Sequence, residues 1–376
     1  MGGFFMPGKS KRIVVKIGSS LLASSNGELS RKRLLQHVEV IAKAKQQGHE
    51  IILVSSGAVA AGFSQLGFSS RPKAIEARQA SAAVGQGKLI HAYSQAFQKY
   101  KMSVAQVLLT RSDIALRTSY HNALGTLELL LKKKIIPIIN ENDTVAVKEL
   151  TFGDNDQLAA LVAGMVHADS LIIFSDVLGV YDNNPKTHKD AKLISSIETV
   201  DEKLLSAAKE GGSTLGSGGM LSKLSAAKTA SSLGVKTYIG SGHHKKKTHL
   251  LEILLGKGEG TYFSGPKTSA ASRKKQWLIF HANPVGKIIV DAGAHVAITQ
   301  KGKSLLPAGV SKVDGYFSSG DVVFVANTDG ELLAKGLCNY SAAELERLKG
   351  KKTSSISKEE KQGKTEVIHR DDLVLI

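Results

Sequence analysis

Short apolar runs without polar alternation recur along most of this chain, and helical patterns separate them. The runs that predict strands lie at residues 13–18, 51–54, 104–109, 135–139, 171–174 and 235–239. The patterns that predict helices lie near residues 29–48, 73–100, 122–133, 156–167 and 222–233. A strand that is apolar on both faces is typical of a parallel sheet covered by helices on both sides. The sequence therefore predicts an α/β fold with a mostly parallel sheet sandwiched between helices.

Two polar clusters follow the predicted strand at 135–139. Residues 140–143 read Asn-Glu-Asn-Asp and residues 153–156 read Gly-Asp-Asn-Asp, while the pattern at 144–152 between them favours a small hairpin. Open α/β sheets bind ligands at the carboxyl ends of their strands, so these side chains predict a site for a small polar substrate. An ordinary turn is the alternative, because Asn and Asp favour turns in any case.

Three glycine-containing segments, at residues 16–20, 55–58 and 216–220, are candidates for binding phosphate. Glycine lets the backbone approach an anion closely, and successive N–H groups form a nest for it. The third segment is the richest in glycine and precedes a predicted helix with Lys223 near its start. A glycine loop, a helix N-terminus and a lysine together suit a polyphosphate. The alternative is a flexible surface loop.

Lys16 interrupts an otherwise apolar strand and lies beside Gly18. A lysine in that position must reach solvent, pair with an anion or serve a ligand. It would neutralise the charge that develops in phosphoryl transfer; the alternative is a solvent-facing lysine on an edge strand. Asp156 would fix the positions of two lysines if they lie beside it. It also suits the first turn of a helix, and both roles are compatible.

The chain changes character near residue 256. Residues 256–273 are rich in Gly, Ser and Lys, which is typical of a linker. Beyond it, β-prone runs at 277–280, 287–290, 322–325, 332–337 and 372–376, with a short helix at 341–348, predict a small, mostly β domain. Residues 349–364 read as a mobile charged insert. We therefore predict two domains, 11–256 and 273–376.

Composition narrows the functional classes. The single cysteine, Cys338, excludes an internal disulfide framework and most cysteine-based metal sites. No apolar run approaches the roughly 18 residues that span a membrane, and a cytoplasmic location is expected. The net charge of +17 is spread along the chain, with 17 basic and 12 acidic residues from position 266 onward. Diffuse positive charge favours anionic ligands but is weak support for a nucleic-acid footprint.

Five motifs, in order, carry a resemblance to a known family. They lie at residues 14–20, 54–58, 139–143, 153–156 and 218–223. Together they resemble the amino acid kinase family over nearly all of residues 11–265. The acidic-amide pair at 139–143 and 153–156 is most similar to members that phosphorylate the γ-carboxylate of L-glutamate. The tail from about residue 273, with His-Arg-Asp-Asp at 369–372, resembles a PUA domain.

The resemblance implies a role for each matching residue. Lys16 and Lys223 would stabilise the transferring phosphoryl group, and Asp156 would position both lysines. Gly18 and Gly57 would supply backbone donors in the reaction site. Ser56, Asp143 and Asn155 would bind glutamate. The residues that would bind ATP are Lys16, Ser175, Asp176, Ser217, Gly218, Gly219, Met220, Leu221, Ser222 and Lys223. Ser175 and Ser217 stand where Thr is common in the family, and both keep a hydroxyl group.

The resemblance also implies co-substrates and partners. These are ATP with Mg²⁺ carried by the nucleotide, L-glutamate as acceptor, and γ-glutamyl phosphate as the product that opens proline biosynthesis. Proline inhibition, a homo-oligomer and hand-over to a γ-glutamyl phosphate reductase are implied in the same way. Two alternatives stay open at this point: another phosphotransferase of the superfamily, such as N-acetylglutamate kinase, aspartokinase, carbamate kinase or uridylate kinase, and an RNA-binding protein that acts through its PUA domain.

Overall fold

The structure, a computed structural model, describes residues 10–145, 155–185, 187–210, 219–243, 246–264, 284–351, 355 and 365–376. The chain divides into two compact units: the first holds residues 1–114 and 118–269, and the second holds residues 270–376 and is grouped with residues 115–117. The predicted hairpin at 144–152 and the strand at 277–280 lie largely or wholly outside the described residues, as does most of the insert at 349–364. The domain limits at residues 256 and 273 stay predictions.

The first unit is built on an eight-stranded sheet with the order β3-β4-β2-β1-β5-β7-β8-β6. Its strands are β1 (Arg12–Ile17), β2 (Glu50–Ser55), β3 (Val104–Leu109), β4 (Ile136–Glu141), β5 (Ser170–Ser175), β6 (Ser196–Ile197), β7 (Lys236–Ser241) and β8 (Gly260–Phe263). Six successive strands of the sheet pair in parallel, in the order β3, β4, β2, β1, β5 and β7. The predicted, mostly parallel sheet is confirmed.

Ten α-helices are described in the first unit. They are α1 (Ser19–Leu22), α2 (Arg31–Gln46), α3 (Ala58–Gly62), α4 (Ile75–Gln98), α5 (Arg111–Ala115), α6 (Arg117–Lys132), α7 (Asn155–Met165), α8 (Glu202–Glu210), α9 (Met220–Ser232) and α10 (His249–Leu254). The long predicted helices match α2, α4, α6, α7 and α9 within a few residues. Gly48, with φ of 88°, follows α2 in the left-handed conformation that ends helices.

Two predictions at the end of this unit are wrong. The strand at 235–239 is not the last, because β8 follows and pairs antiparallel with β7. Residues 260–263 lie inside the segment predicted as a linker, and the helix α10 was also missed. Both elements are short, with only a few apolar side chains each. Such segments carry little periodic signal, and their structure is decided by packing against the sheet.

Strand β1 lies at the centre of the sheet, between β2 and β5, and alternates its contacts between the two faces. Ile13, Val15 and Ile17 are buried in one core cluster together with side chains of α2. The intervening positions, which include Lys16, lie on the opposite face because strand side chains alternate. Helix α7 packs against β1. This arrangement brings the start of α7 toward Lys16.

The second unit holds a five-stranded sheet with the order β10-β9-β11-β12-β13. Its elements are β9 (Gly286–Val290), α11 (Ala292–Thr299), β10 (Val310–Gly315), β11 (Val322–Ala326), β12 (Leu332–Leu337), α12 (Ala342–Leu348) and β13 (Leu373–Leu375). A capping box starts α12, in which Ser341 and Glu344 satisfy each other's backbone N–H groups. The predicted small, mostly β domain is confirmed, although α11 and β10 were not predicted. Among the described residues of the whole chain, no helix has the length and apolarity to cross a membrane.

Candidate active site

Two lysines and one aspartate meet at the carboxyl end of β1. Lys16 Nζ lies 2.5 Å from Asp156 Oδ1, and Lys223 Nζ lies 3.2 Å from Asp156 Oδ2. The side chain of Asp156 is fully buried, and those of Lys16 and Lys223 are only 4% and 7% exposed. We call these three residues the lysine–aspartate trio. It carries one negative and two positive charges, which is an expensive arrangement to bury without a ligand.

Three elements from distant parts of the chain build the trio. Lys16 is the penultimate residue of β1 and lies in register with Val54 of β2 and Ile173 of β5, so it occupies a central strand. The alternative of a solvent-facing edge lysine is therefore wrong. Asp156 lies in the first turn of α7 and Lys223 in the first turn of α9. Asp156 thus occupies the helix start and pairs with both lysines at once.

The lysines keep Asp156 ionised. Burial raises the pKa of this carboxyl group, but the charges and hydrogen bonds of Lys16 and Lys223 outweigh burial and hold its pKa below the ordinary value. The carboxylate therefore stays negative at neutral pH and holds two ammonium groups close together. A fixed pair of ammonium groups suits an anion whose charge grows during a reaction.

Two of the glycines predicted to face phosphate, Gly18 and Gly57, follow the neighbouring strands β1 and β2. A Cβ atom on Gly18 would lie 3.6 Å from Lys16 Nζ, so the backbone at Gly18 runs next to that ammonium group. Gly57 precedes α3 with φ of 112°, a conformation that strongly favours glycine. The Ser56 backbone N–H donates to Ile17 O, which ties the exits of β1 and β2 together.

Asn155 and Ser56 are brought together next to the trio. Asn155 Nδ2 donates to Ser56 Oγ at 2.9 Å, to Ser55 O at 3.2 Å and to Asn140 Oδ1 at 2.8 Å. Asn140 lies on β4 and is buried. It belongs to the polar run at 140–143 that predicted a substrate site, but the motifs assigned it no role of its own.

Asp143 stands apart from these contacts. It is half-buried and, among the described residues, makes no hydrogen bond or ion pair. Burial raises the pKa of its carboxyl group, and the charges of Arg78 and Arg71 oppose that rise. The Asp143 carboxyl group, on the turn after β4 and close to two arginines, could therefore accept a hydrogen bond from a ligand.

The predicted nucleotide segments are described in part. Ser175 ends β5 and donates through Oγ to Asp176 Oδ1 at 3.1 Å, while Ser175 O accepts from Gly242 N after β7. Gly219 precedes α9, and Met220, Leu221, Ser222 and Lys223 form its first turn. Ser217 and Gly218 lie outside the described residues. The described part of this region occupies the carboxyl ends of β5 and β7.

The fold and this site define a phosphotransferase of known architecture. Residues 11–241 match the Amino acid kinase family and residues 286–359 match the PUA domain. The chain therefore belongs to the amino acid kinase family, is a kinase, and carries a C-terminal PUA domain.

Relatives with high similarity point to one member of that family. The chain is 50% identical to the glutamate 5-kinase of Bacillus cereus over 366 residues, which cover 97% of this chain and 99% of that protein. It is also 50% identical to the glutamate 5-kinase of Bacillus anthracis over 363 residues, covering 96% and 98% of the two chains. The similarity thus extends through both units.

A solved structure agrees on the fold of the first unit. Carbamate kinase from Giardia lamblia, bound to AMP-PNP, matches with a TM-score of 0.50 and 17% identity, covering 68% of this chain and 99% of that one. At that identity the likeness concerns the fold alone.

Proposed function

We propose that this enzyme transfers the γ-phosphoryl group of ATP to the γ-carboxylate of L-glutamate, giving γ-glutamyl phosphate for proline biosynthesis. The observation that carries the proposal is the buried lysine–aspartate trio, placed next to the Asn155–Ser56 hydrogen bond. The near full-length similarity to glutamate 5-kinases supports the choice of acceptor. Asn155, Ser56 and Asp143 are the residues proposed to bind glutamate.

The chemistry needs no general base. The γ-carboxylate of free glutamate has a pKa near 4.3, so it is already a nucleophile at neutral pH. Catalysis then depends on in-line positioning of the two substrates and on stabilising charge on the transferring group. This requirement fits a site rich in ammonium, amide and backbone N–H groups.

Each member of the trio has a separate task in this proposal. Lys16 would stabilise the phosphoryl oxygens from the β1 side, where the backbone at Gly18 and Gly57 would add N–H donors. Lys223 would contact them from the start of α9. Asp156 would keep the two ammonium groups from separating by pairing with both of them. Because one carboxylate faces two ammonium groups, the trio keeps a net positive charge.

Mg²⁺ would enter with ATP. Its preferred ligands are oxygens, and both carboxylate oxygens of Asp156 already contact lysines. Phosphate oxygens of the nucleotide are therefore the proposed main ligands, and the ion would neutralise charge on the polyphosphate. Ser175, Asp176 and residues 217–223 would hold the nucleotide, with Ser217 and Gly218 assigned by resemblance.

The remaining finer assignments are part of the same proposal. They are inhibition by proline, a homo-oligomeric state, hand-over of the labile acyl phosphate to a reductase, and a cytoplasmic location. The first three follow from the family resemblance described above, and the location follows from the composition of the chain.

The test is ATP turnover with Mg²⁺ across L-glutamate, N-acetyl-L-glutamate, L-aspartate and uridylate, with acyl phosphate trapped as a hydroxamate. We expect hydroxamate only with L-glutamate, and less of it when proline is present. Hydroxamate formed from a different acceptor would contradict the proposed substrate and reassign Asp143 and Asn155. No turnover with any acceptor would contradict the proposal as a whole.

A further inference from the structure

A chain of side-chain amides runs from the protein surface to the proposed glutamate site. Gln86 Nε2 donates to Gln106 Oε1 at 3.1 Å, and Asn140 Nδ2 donates to Gln86 Oε1 at 2.9 Å. Asn155 Nδ2 then donates to Asn140 Oδ1 at 2.8 Å. An amide that donates on one side offers its oxygen on the other, so all of these groups point the same way.

The chain ends at an unsatisfied acceptor. Asn155 is only 7% exposed, and its Nδ2 faces three oxygens. Its Oδ1 is buried and has no hydrogen-bond partner among the described residues. Because an unpartnered buried acceptor costs free energy, this oxygen is suited to receive a donor from a ligand.

Gln86 is held in place by unusually close helix packing. It follows Gly85 on α4, where an added Cβ would lie 1.8 Å from Ala58 O of α3. The same crossing brings Gly62 against α4, since a Cβ there would lie 2.0 Å from Ser81 O. Only glycines permit this approach. The backbone carrying Gln86 is therefore fixed relative to Gly57 and the start of α3.

We propose that Gln86 is a positioning residue for the acceptor substrate. Through Asn140 it fixes the orientation of the Asn155 amide, so that Asn155 Oδ1 accepts from the α-ammonium group of that substrate. Gln86 makes no contact with the substrate itself. This inference rests on the proposed function, because it takes an α-amino acid as the acceptor.

Loss of the Gln86 oxygen would loosen the Asn140 amide, whose Oδ1 also accepts from Glu141 N at 2.9 Å. A half-turn of that amide would break this contact and set its Nδ2 against Asn155 Nδ2, and two donors repel each other. Asn155 Nδ2 would then shift away from Ser56 Oγ, which accepts a hydrogen bond from it. Because Ser55 O still accepts from Asn155, we expect a weakened site rather than an abolished one.

The test compares Gln86→Met, which keeps the side-chain length but has no amide, with Gln86→Glu, which keeps an acceptor for Asn140. We expect Gln86→Met to raise the KM for L-glutamate about tenfold and to leave the KM for ATP within about twofold, as the loss of one neutral hydrogen bond predicts. Gln86→Glu should stay within about threefold of the wild type for both substrates. Gln98→Met, an exposed glutamine on the same helix, is the matched control.

A second readout separates positioning from general damage. Glutarate lacks the α-amino group, so the ratio of kcat/KM for L-glutamate to that for glutarate reports the proposed ammonium contact. We expect this ratio to fall about tenfold in Gln86→Met and to be unchanged in Gln98→Met. Gln106→Met changes a more exposed residue of the same amide chain and should lower the ratio by about twofold. This second variant tests the inference even if the Gln86→Met protein does not fold.

Each outcome decides the inference. Wild-type turnover of L-glutamate with an unchanged discrimination ratio in both Gln86→Met and Gln106→Met would overturn the role of Gln86 and leave the proposed function standing. Equal increases in the KM of ATP and of glutamate would also overturn it. A wild-type enzyme without glutamate-dependent turnover would overturn the proposed function and this inference together.

Discussion

The two ends of strand β1 carry ion clusters of opposite design. At the carboxyl end, Lys16 and Lys223 share one fully buried carboxylate, Asp156. At the amino end, Arg12 pairs with two carboxylates: its Nε lies 2.8 Å from Glu50 Oε2, and its Nη1 lies 2.6 Å from Glu128 Oε1. The two glutamate side chains there are 39% and 45% exposed. One cluster buries excess positive charge, while the other offsets one cation with two anions near water.

The difference distinguishes a cluster that needs a ligand from one that only stabilises the fold. Exposed carboxylates can be solvated, so the amino-end cluster needs no further partner and joins β1, β2 and α6. Arg12 also donates to Val166 O at 2.7 Å after α7. The trio has no such solvation, and its net positive charge is best satisfied by an anionic ligand. We therefore expect substitutions at the carboxyl end to affect catalysis, and those at the amino end to affect stability.

The largest expected effect is on catalysis at Lys16. Lys16→Met should lower kcat by about 10²- to 10³-fold or more, since it removes a group that stabilises charge in the transition state. The fold should persist, because Lys223 remains to pair with Asp156. Steady-state kinetics and thermal unfolding measure the two properties. Lys32→Met, which removes an exposed lysine of α2, is the control for lost charge and should leave both unchanged.

Asp156→Asn should show the largest loss of stability. It leaves two buried ammonium groups without their shared carboxylate, and breaking such a buried pair costs about 3–5 kcal/mol. Chemical denaturation would measure the free energy of unfolding, and activity should fall as well. If Asp156→Asn were as stable as the wild type, other groups would have to compensate the charges of the two lysines. That result would weaken the contrast between the two clusters.

Arg12→Met should have the opposite profile. We expect a loss of roughly 1–2 kcal/mol in the free energy of unfolding, discounted for the exposure of both glutamates. kcat and both KM values should stay near those of the wild type. The destabilisation should shrink in high salt, because screening weakens exposed ion pairs. A large fall in kcat at unchanged stability would assign the amino end a catalytic role and break the comparison.

The smallest effect expected is a pH dependence of stability. The folded pKa of Asp156 is lowered, so its contribution is complete above the unfolded value of about 3.9 and is lost as pH falls through the folded pKa. The difference in unfolding free energy between the wild type and Asp156→Asn should therefore be constant near neutral pH and narrow in acid. Urea unfolding at a series of pH values measures it. A gap that narrows above pH 5 would contradict the lowered pKa.

The sequence predicted the carboxyl end of the sheet, where the trio lies, better than the margins of the sheet. Lys16 was identifiable because a lysine in an apolar strand needs an explanation, and Asp156 and Lys223 stood in recognisable motifs. Strand β8 was missed because its four residues, Gly-Thr-Tyr-Phe, are too few to show a periodic pattern and share the composition of a linker. Gln86 gave no signal at all, since a glutamine inside an amphipathic helix is ordinary and its partners come from β3 and β4.

The most direct test measures glutamate-dependent hydroxamate formation for the wild type, Lys16→Met and Arg12→Met in parallel, together with the unfolding free energy of each. We expect the wild type to be active, Lys16→Met to be folded and nearly inactive, and Arg12→Met to be active and less stable. Near-normal turnover by Lys16→Met would contradict the claim that the buried trio stabilises phosphoryl transfer.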